Sequence, residues 1–218
     1  MTPFLLVLSS PSGGGKTTIA KRLLATRGDV GYSISATTRA PRPGERDGVD
    51  YHFLSCEEFE RRRDAGRFAE WAKYNGQLYG TLVSELERIA AASRHAVLDI
   101  DLEGARQLRR SVPSGVHVFV LPPSAEVLAA RLKGRNSETS EQVRRRLERA
   151  AAEIAAAGEY DYIVVNDDLD AAVRQVEAII DAESHRAARL GGLAQRLEGL
   201  RLAVAAEATG ITTAGAGA

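Results

Sequence analysis

Residues 9–18 read Ser9-Ser10-Pro11-Ser12-Gly13-Gly14-Gly15-Lys16-Thr17-Thr18. A short apolar run, Phe4 to Leu8, precedes them. A helical pattern follows, with Ile19, Leu23 and Leu24 on one face. Strand, glycine-rich turn, Lys-Thr and helix together make the layout of a phosphate-binding loop. Three successive glycines let the backbone curl until several N–H groups point inward, and the next helix adds its positive end to that nest. Lys16 supplies a point charge for the outer phosphates, and the Thr17 hydroxyl is placed to hold Mg²⁺. The pattern GxxxxGK[ST] asks for glycine where Ser10 stands; a small side chain is tolerated there if its φ is negative.

Outward from this loop, the chain alternates strands with helices. Residues 96–100, 116–121 and 160–165 read as buried strands. Helices are expected over about 16–25, 84–92, 104–110, 124–133, 141–157 and 169–186, the 141–157 helix carrying Val143, Leu147, Ala150 and Ile154 at steps of four and three. Such alternation predicts an α/β fold with a central parallel sheet covered on both faces. Residues 31–81 interrupt it. They read as short antiparallel pieces around one helix: a strand over 31–36, the loop 39–48, alternation over 50–54 and 68–74, a helix capped by Ser55, and a turn over 76–80.

At 218 residues this is one domain, and 44% hydrophobic residues suit a packed core. The formal net charge of +0 speaks against bulk attraction to nucleic acid or an anionic membrane. Lysine occurs only at 16, 21, 73 and 133, so a Lys in the loop stands out, whereas single arginines carry little weight. One cysteine, Cys56, excludes an internal disulfide and fits a reducing, cytoplasmic setting. The N-terminal apolar run is too short for a signal peptide, and no stretch has the length of a membrane span. No feature specifies an oligomeric state. Residues 207–218 hold too little large apolar content to pack and read as a disordered tail.

Two further groups carry chemistry. Asp99 and Asp101 end an apolar strand and share a face of it, so both address the cleft beyond the strand's carboxyl end; a carboxylate there, Asp99 above all, is placed to hold Mg²⁺. In the loop Thr38-Arg39-Ala40-Pro41-Arg42, two arginine forks flank a stiffening proline and suit a second phosphate, with Tyr51 and Tyr79 as hydroxyl donors. A solvated basic turn is the plain alternative for the arginines, and a solvated strand end for the aspartates.

With these residues in hand, the chain resembles the guanylate kinases, the P-loop nucleoside monophosphate kinases that phosphorylate GMP with ATP. The matching stretches are SSPSGGGKTT (9–18), SISATTRAPRPGERDGVDYHF (33–53), FAEWAKYNGQLYGT (68–81), VLDIDLEG (97–104), LPPS (121–124), RLKGRNSET (131–139) and VVNDDL (164–169), in family order over roughly 3–185. The resemblance implies a guanylate kinase-like domain over 1–190: a core at about 1–31, 82–126 and 157–190, a GMP-binding region at about 32–81, a mobile lid at about 127–156, and then a C-terminal extension, 191–218. It places the acceptor site on Ser35, Arg39, Arg42, Tyr51, Glu70, Tyr79, Thr81 and Asp101. It places ATP on Pro11, Ser12, Gly13, Gly14, Gly15, Lys16, Thr17 and Thr18, with Asn166 near the adenine and the metal at Thr17 and Asp99. The groups at the transferring phosphoryl would be Lys16, Arg39 and the lid arginines Arg131, Arg135 and Arg146. Guanine fits this set: Glu70 and Asp101 can accept from N1–H and the 2-amino group, and Ser35 and Thr81 can donate to O6. Adenine would leave a carboxylate facing a lone pair, a mismatch worth up to ~10⁴-fold in discrimination.

Departures from the family pattern are Ser10 for the first loop glycine, Leu78 before Tyr79 where a tyrosine is usual, Thr81 for serine, and Asn136 after Arg135 where glycine is common. None removes a charge that the chemistry needs. A non-catalytic interaction module of the same fold would be expected to lose the loop that this chain keeps, and a kinase for ribose phosphates would lack the guanine-reading set.

Overall fold

The computed structural model describes residues 2–74, 76–92, 94–133 and 140–215. Its centre is a five-stranded, wholly parallel sheet in the order β2–β7–β1–β8–β9, made of Val30–Tyr32 (β2), His95–Asp99 (β7), Leu5–Ser9 (β1), Val116–Leu121 (β8) and Tyr162–Val165 (β9). Successive side chains of a strand face opposite ways. Leu6 and Leu8 therefore enter a core with Ile19, Leu23, Val118, Val173, Val176 and Ile180, while Val7 faces a second core with Ile89, Leu98 and Leu108. Helices α1 (Lys16–Thr26), α3 (Val83–Ala91), α4 (Leu102–Ser111) and α7 (Leu169–Ser184) supply those covers.

The apolar run 31–36 proves to be two strands, not one. β2 ends at Tyr32, and Ser35–Thr37 (β3) joins a different, four-stranded sheet in the order β4–β3–β6–β5. β2 keeps its ladder as far as Ser33 N–H, which donates to Val97 O in the Tyr32–Val97 pairing; the backbone leaves it at Ile34, whose N–H donates instead to the Glu85 carboxylate. The other strands of this sheet are His52–Phe53 (β4), Phe68–Tyr74 (β5) and Gln77–Leu82 (β6). The expected turn over 76–80 is thus mostly strand: the reversal is tight, with Gly76 at φ +81°, and Gln77 already pairs with Tyr74. One pair, β3–β4, is parallel where antiparallel pieces were expected. Helix α2 (Cys56–Asp64) starts as read, with Glu58 N–H donating to Ser55 Oγ, and stops at Gly66, φ +67°. Its Phe59 is fully buried and stacks on Phe68 at 4.3 Å. Cys56 is exposed at the helix start.

Helices α5 (Ala125–Lys133) and α6 (Ser140–Ala155) pack through Leu128, Leu132, Val143, Leu147 and Ala150. Chain contacts divide the protein inside α7. Pro3–Ile180 form one compact unit; residues from Asp181 onward, with Thr2, form the other. The boundary expected at 190 falls within the second unit. There Glu183, almost wholly buried, pairs with Arg186 and Arg189, and Gly192 (φ +70°) precedes helix α8, Leu193–Gly215. Where a disordered tail was read from 207, the helix continues to Gly215. Once nucleated, a helix gains one backbone bond for each residue added, without needing large apolar side chains. No helix among the described residues is long and apolar enough to cross a membrane.

Candidate active site

All the chemistry lies in the unit Pro3–Ile180, in a cleft of about 630 Å³ at the carboxyl ends of β1 and β7. On one wall is the glycine turn. Gly13 and Gly15 have φ of +86° and +99°, so both need glycine. A side chain at Gly13 would press on Leu132 and Leu128 of α5. Gly15 stands at the N-terminus of α1 with no side-chain cap, leaving the first turn's N–H groups directed at the cleft. Ser10 fits because Gly14 makes room: a Cβ on Gly14 would lie 2.7 Å from that of Ser10, whose hydroxyl donates to Pro11 O at 3.0 Å.

Lys16 Nζ sits 3.1 Å from Asp99 Oδ1, and the Thr17 hydroxyl donates to the other oxygen of the same carboxylate. Burial pulls the Lys16 pKa down, but the charge and hydrogen bond of Asp99 more than offset it and leave it above the ordinary lysine value. Lys16 is therefore a fixed cation at any physiological pH. Of the arginine run on α6, Arg144 and Arg145 pair with Glu141 on the helix surface, whereas Arg146 turns inward and donates to Ser12 Oγ at 2.7 Å. Arg131 donates from one terminal nitrogen to Asn166 O at 3.1 Å. Its other terminal nitrogen is buried and has no hydrogen-bond partner among the described residues, and Arg131 lines the cleft. An unpaired buried guanidinium N–H is costly unless an anion meets it.

On the opposite wall stand Ser35, Arg39, Arg42, Tyr51, Glu70, Tyr79 and Asp101. Arg39 is gripped by Glu45 through two bonds of 2.9 Å, and its guanidinium lies 5.2 Å from the centre of the Tyr51 ring. Glu70 is 5% exposed and accepts from Thr81 Oγ1 at 2.7 Å. Burial raises its pKa to about 7, with Asp101 adding to the rise and the Thr81 bond opposing it. Asp101 caps α4, accepting from Gly104 N–H at 2.9 Å.

The residues singled out in the sequence thus largely meet. Thr81 stands behind Glu70 and does not line the cleft; Pro11 and Gly14 shape the turn through their carbonyls, Pro11 O accepting from Gly14 N–H at 2.8 Å. Arg135 lies outside the described residues. Sequence reasoning missed four contributors. Glu153 lines the cleft and accepts from Ser12 N–H at 3.3 Å, with burial lifting its pKa. Arg149 lies 4.0 Å above the Tyr74 ring, and Tyr74 itself faces the cleft. Gly104 is needed because a Cβ there would sit 2.5 Å from Glu70 Oε2. The steps 146, 149, 153 on one helix were a legible signal, since residues three and four apart share a face.

Comparison with known proteins agrees with this geometry. The family model described as guanylate kinase matches residues 3–183. A guanylate kinase of Geobacter sulfurreducens is 47% identical over 186 residues, 85% of this chain and 92% of that protein. One from Schizosaccharomyces pombe is 46% identical over 178 residues, 80% and 88% of the two chains. The crystal structure of guanylate kinase from Anaplasma phagocytophilum superposes with a TM-score of 0.76 at 34% identity, covering 91% of this chain and 95% of its own.

Proposed function

Because this chain belongs to the guanylate kinase family, we propose that it transfers the γ-phosphoryl group of ATP to a phosphate oxygen of GMP or dGMP, giving ADP and the nucleoside diphosphate. One observation carries the reading: a buried carboxylate, Glu70, shares a single cleft with Lys16 and the glycine turn. The first suits a guanine edge and the second a triphosphate.

In this reading the N–H groups of the Gly13–Lys16 turn cradle the ATP phosphates, with Ser12, Thr17 and Thr18 beside them. Arg131 and Arg146 approach from α5 and α6, and Arg135 joins them on the family pattern alone. Ser35, Glu70, Thr81 and Asp101 read guanine; Arg39, Arg42, Tyr51 and Tyr79 hold the acceptor phosphate. No general base is needed, because a phosphate monoester, with a second pKa of ~6, is already largely ionised at neutral pH. The obstacle is repulsion between two polyanions, which Lys16 and the arginines offset while closure keeps out water.

Mg²⁺ fits the donor set: the Thr17 hydroxyl and the Asp99 carboxylate are adjacent hard oxygens. When bound, the ion neutralises charge on the β- and γ-phosphate oxygens. The lone exposed Cys56 is compatible with a reducing cytoplasm.

A coupled assay with GMP, dGMP, AMP and ribose phosphates tests the reading. Turnover is expected with the two guanine nucleotides and at most a trace with the others; equal use of AMP would overturn it. A second expectation concerns Glu45. It holds Arg39 from two sides and also accepts from Arg42 N–H at 2.7 Å, so it orders the whole arginine hook. Glu45→Ala is expected to raise KM for GMP by ~10-fold, the scale of one or two charge-assisted hydrogen bonds, with KM for ATP unchanged. Equal changes in both constants would show a general loss of structure instead.

A further inference from the structure

Family resemblance places Asn166 near the adenine; it lines the cleft, and its side chain also engages the glycine turn. Asn166 is 5% exposed. Its side-chain amide donates to Gly14 O at 2.9 Å. Its own backbone is held at both ends: N–H donates to Leu121 O at 2.8 Å, and C=O accepts from Arg131 at 3.1 Å. The side chain therefore projects from the rigid end of β9 and presses into the glycine turn. A Cβ placed on Gly15 would come within 2.2 Å of the Asn166 amide nitrogen.

The consequence follows from the planarity of the peptide unit. In a trans peptide the carbonyl of one residue and the N–H of the next point in opposite directions. Holding Gly14 O towards Asn166 aims Gly15 N–H the other way, into the phosphate cup. Glycines on both sides leave that peptide free to rotate in the absence of a restraint, and Gly15 at φ +99° is in a conformation with little intrinsic preference to hold it. We propose that Asn166 is a positioning residue: it locks the Gly14–Gly15 peptide so that Gly15 N–H stays directed at the donor phosphates, and through its carbonyl it ties Arg131 to the same strut. Through the loop it acts on the triphosphate. The inference rests on the reading above that the glycine turn holds the donor phosphates.

Asn166→Asp keeps the shape but puts an acceptor against the Gly14 carbonyl, so the peptide is driven to flip. Loss of one preorganised N–H from an anion cradle costs ~10²-fold in turnover, and that loss is expected in kcat with GTP or inosine triphosphate as donor as much as with ATP. In ¹⁵N-labelled wild type the Gly15 and Lys16 amides shift on addition of tripolyphosphate, which carries no base; in Asn166→Asp the Gly15 response disappears while that of Lys16 persists. Should Asn166→Asp not fold, Asn166→Ala gives the same comparison with a smaller loss. A defect confined to ATP would make Asn166 a base contact, and undiminished kcat or an intact Gly15 response would equally overturn the proposal. Absence of any tripolyphosphate response in the wild type would instead remove the donor-site reading itself.

Discussion

Replacing Lys16 with Ala lowers kcat by at least ~10³-fold, the scale lost when a charge poised on a transferring phosphoryl group is removed. The size follows from the site. Lys16 is the only lysine bordering the cleft, it stands at the mouth of the glycine nest, and Asp99 fixes its ammonium at 3.1 Å. Its described neighbours are otherwise anchored: Arg146 is engaged with Ser12, Arg39 with Glu45, and Arg131 is held on Asn166 O with only one terminal nitrogen left for an anion. Lys16→Arg is expected to rescue little, because a planar fork on a longer stem does not reproduce a compact ammonium wedged between a carboxylate and a backbone turn. Lys16 makes its close contact with Asp99 and couples to the acceptor wall only through space, to Tyr51, so calorimetric GMP affinity should change little. Asp99 loses a partner while keeping the Thr17 bond, so a modest fall in Tm is expected alongside. A Lys16→Ala enzyme with near-normal kcat would take this residue out of the chemistry; one that also fails to bind GMP would point to a collapsed cleft.

What the sequence disclosed depended on how local the signal was. The glycine turn was legible because strand, turn, Lys-Thr and helix are contiguous, and the physics of the nest is written in ten residues. The strand over 96–100 was legible as an apolar run, and both Asp99 and Asp101 do line the cleft, but not by strand parity: β7 ends at Asp99, and Asp101 reaches the cleft as the N-cap of α4. The split of the run 31–36 was not, because what draws the chain off the β2 ladder after Ser33 comes from far away, the Glu85 carboxylate that takes the Ile34 N–H. Alternation of apolar residues does not report which sheet a strand joins. Arg146 was ambiguous within an arginine run, and only the packing of α6 separates it from Arg144 and Arg145. Asn166 shows the same limit. Resemblance gave it an address near the donor nucleotide, but its partner, a main-chain carbonyl 152 residues earlier, has no side-chain signature to be read.

Replacing Glu70 with Gln is expected to trade GMP recognition for stability, and the two effects have one cause. In the free protein Glu70 is buried with a pKa of about 7, against an ordinary value of 4.5. The native state thus holds a proton that the unfolded chain has released between those pH values, so stability is fully present below about pH 4.5 and falls as pH rises through about 7. Above that, an ionised carboxylate in a dry site costs on the order of 3 kcal/mol, at 1.36 kcal/mol per pKa unit. Gln fills the same space, still accepts from Thr81, and carries no charge. At pH 8 Glu70→Gln should therefore raise Tm by several degrees, and at pH 4 the two proteins should melt alike. Recognition moves the other way. Guanine presents N–H donors to this position, and the Gln amide meets one of them with an N–H of its own; kcat/KM for GMP is expected to fall by ~10²–10³-fold, and preference over AMP to shrink, since adenine N1 can accept from that amide. In the wild type, GMP must find Glu70 ionised, so KM for GMP rises as pH is lowered from 8 to 6 beyond what GMP's own titration produces; the Gln variant, titrated in parallel, should show only the latter. Unchanged GMP kinetics in Glu70→Gln would remove this carboxylate from the base-reading set. Unchanged melting at pH 8 would mean that the cleft is wetter than its burial implies.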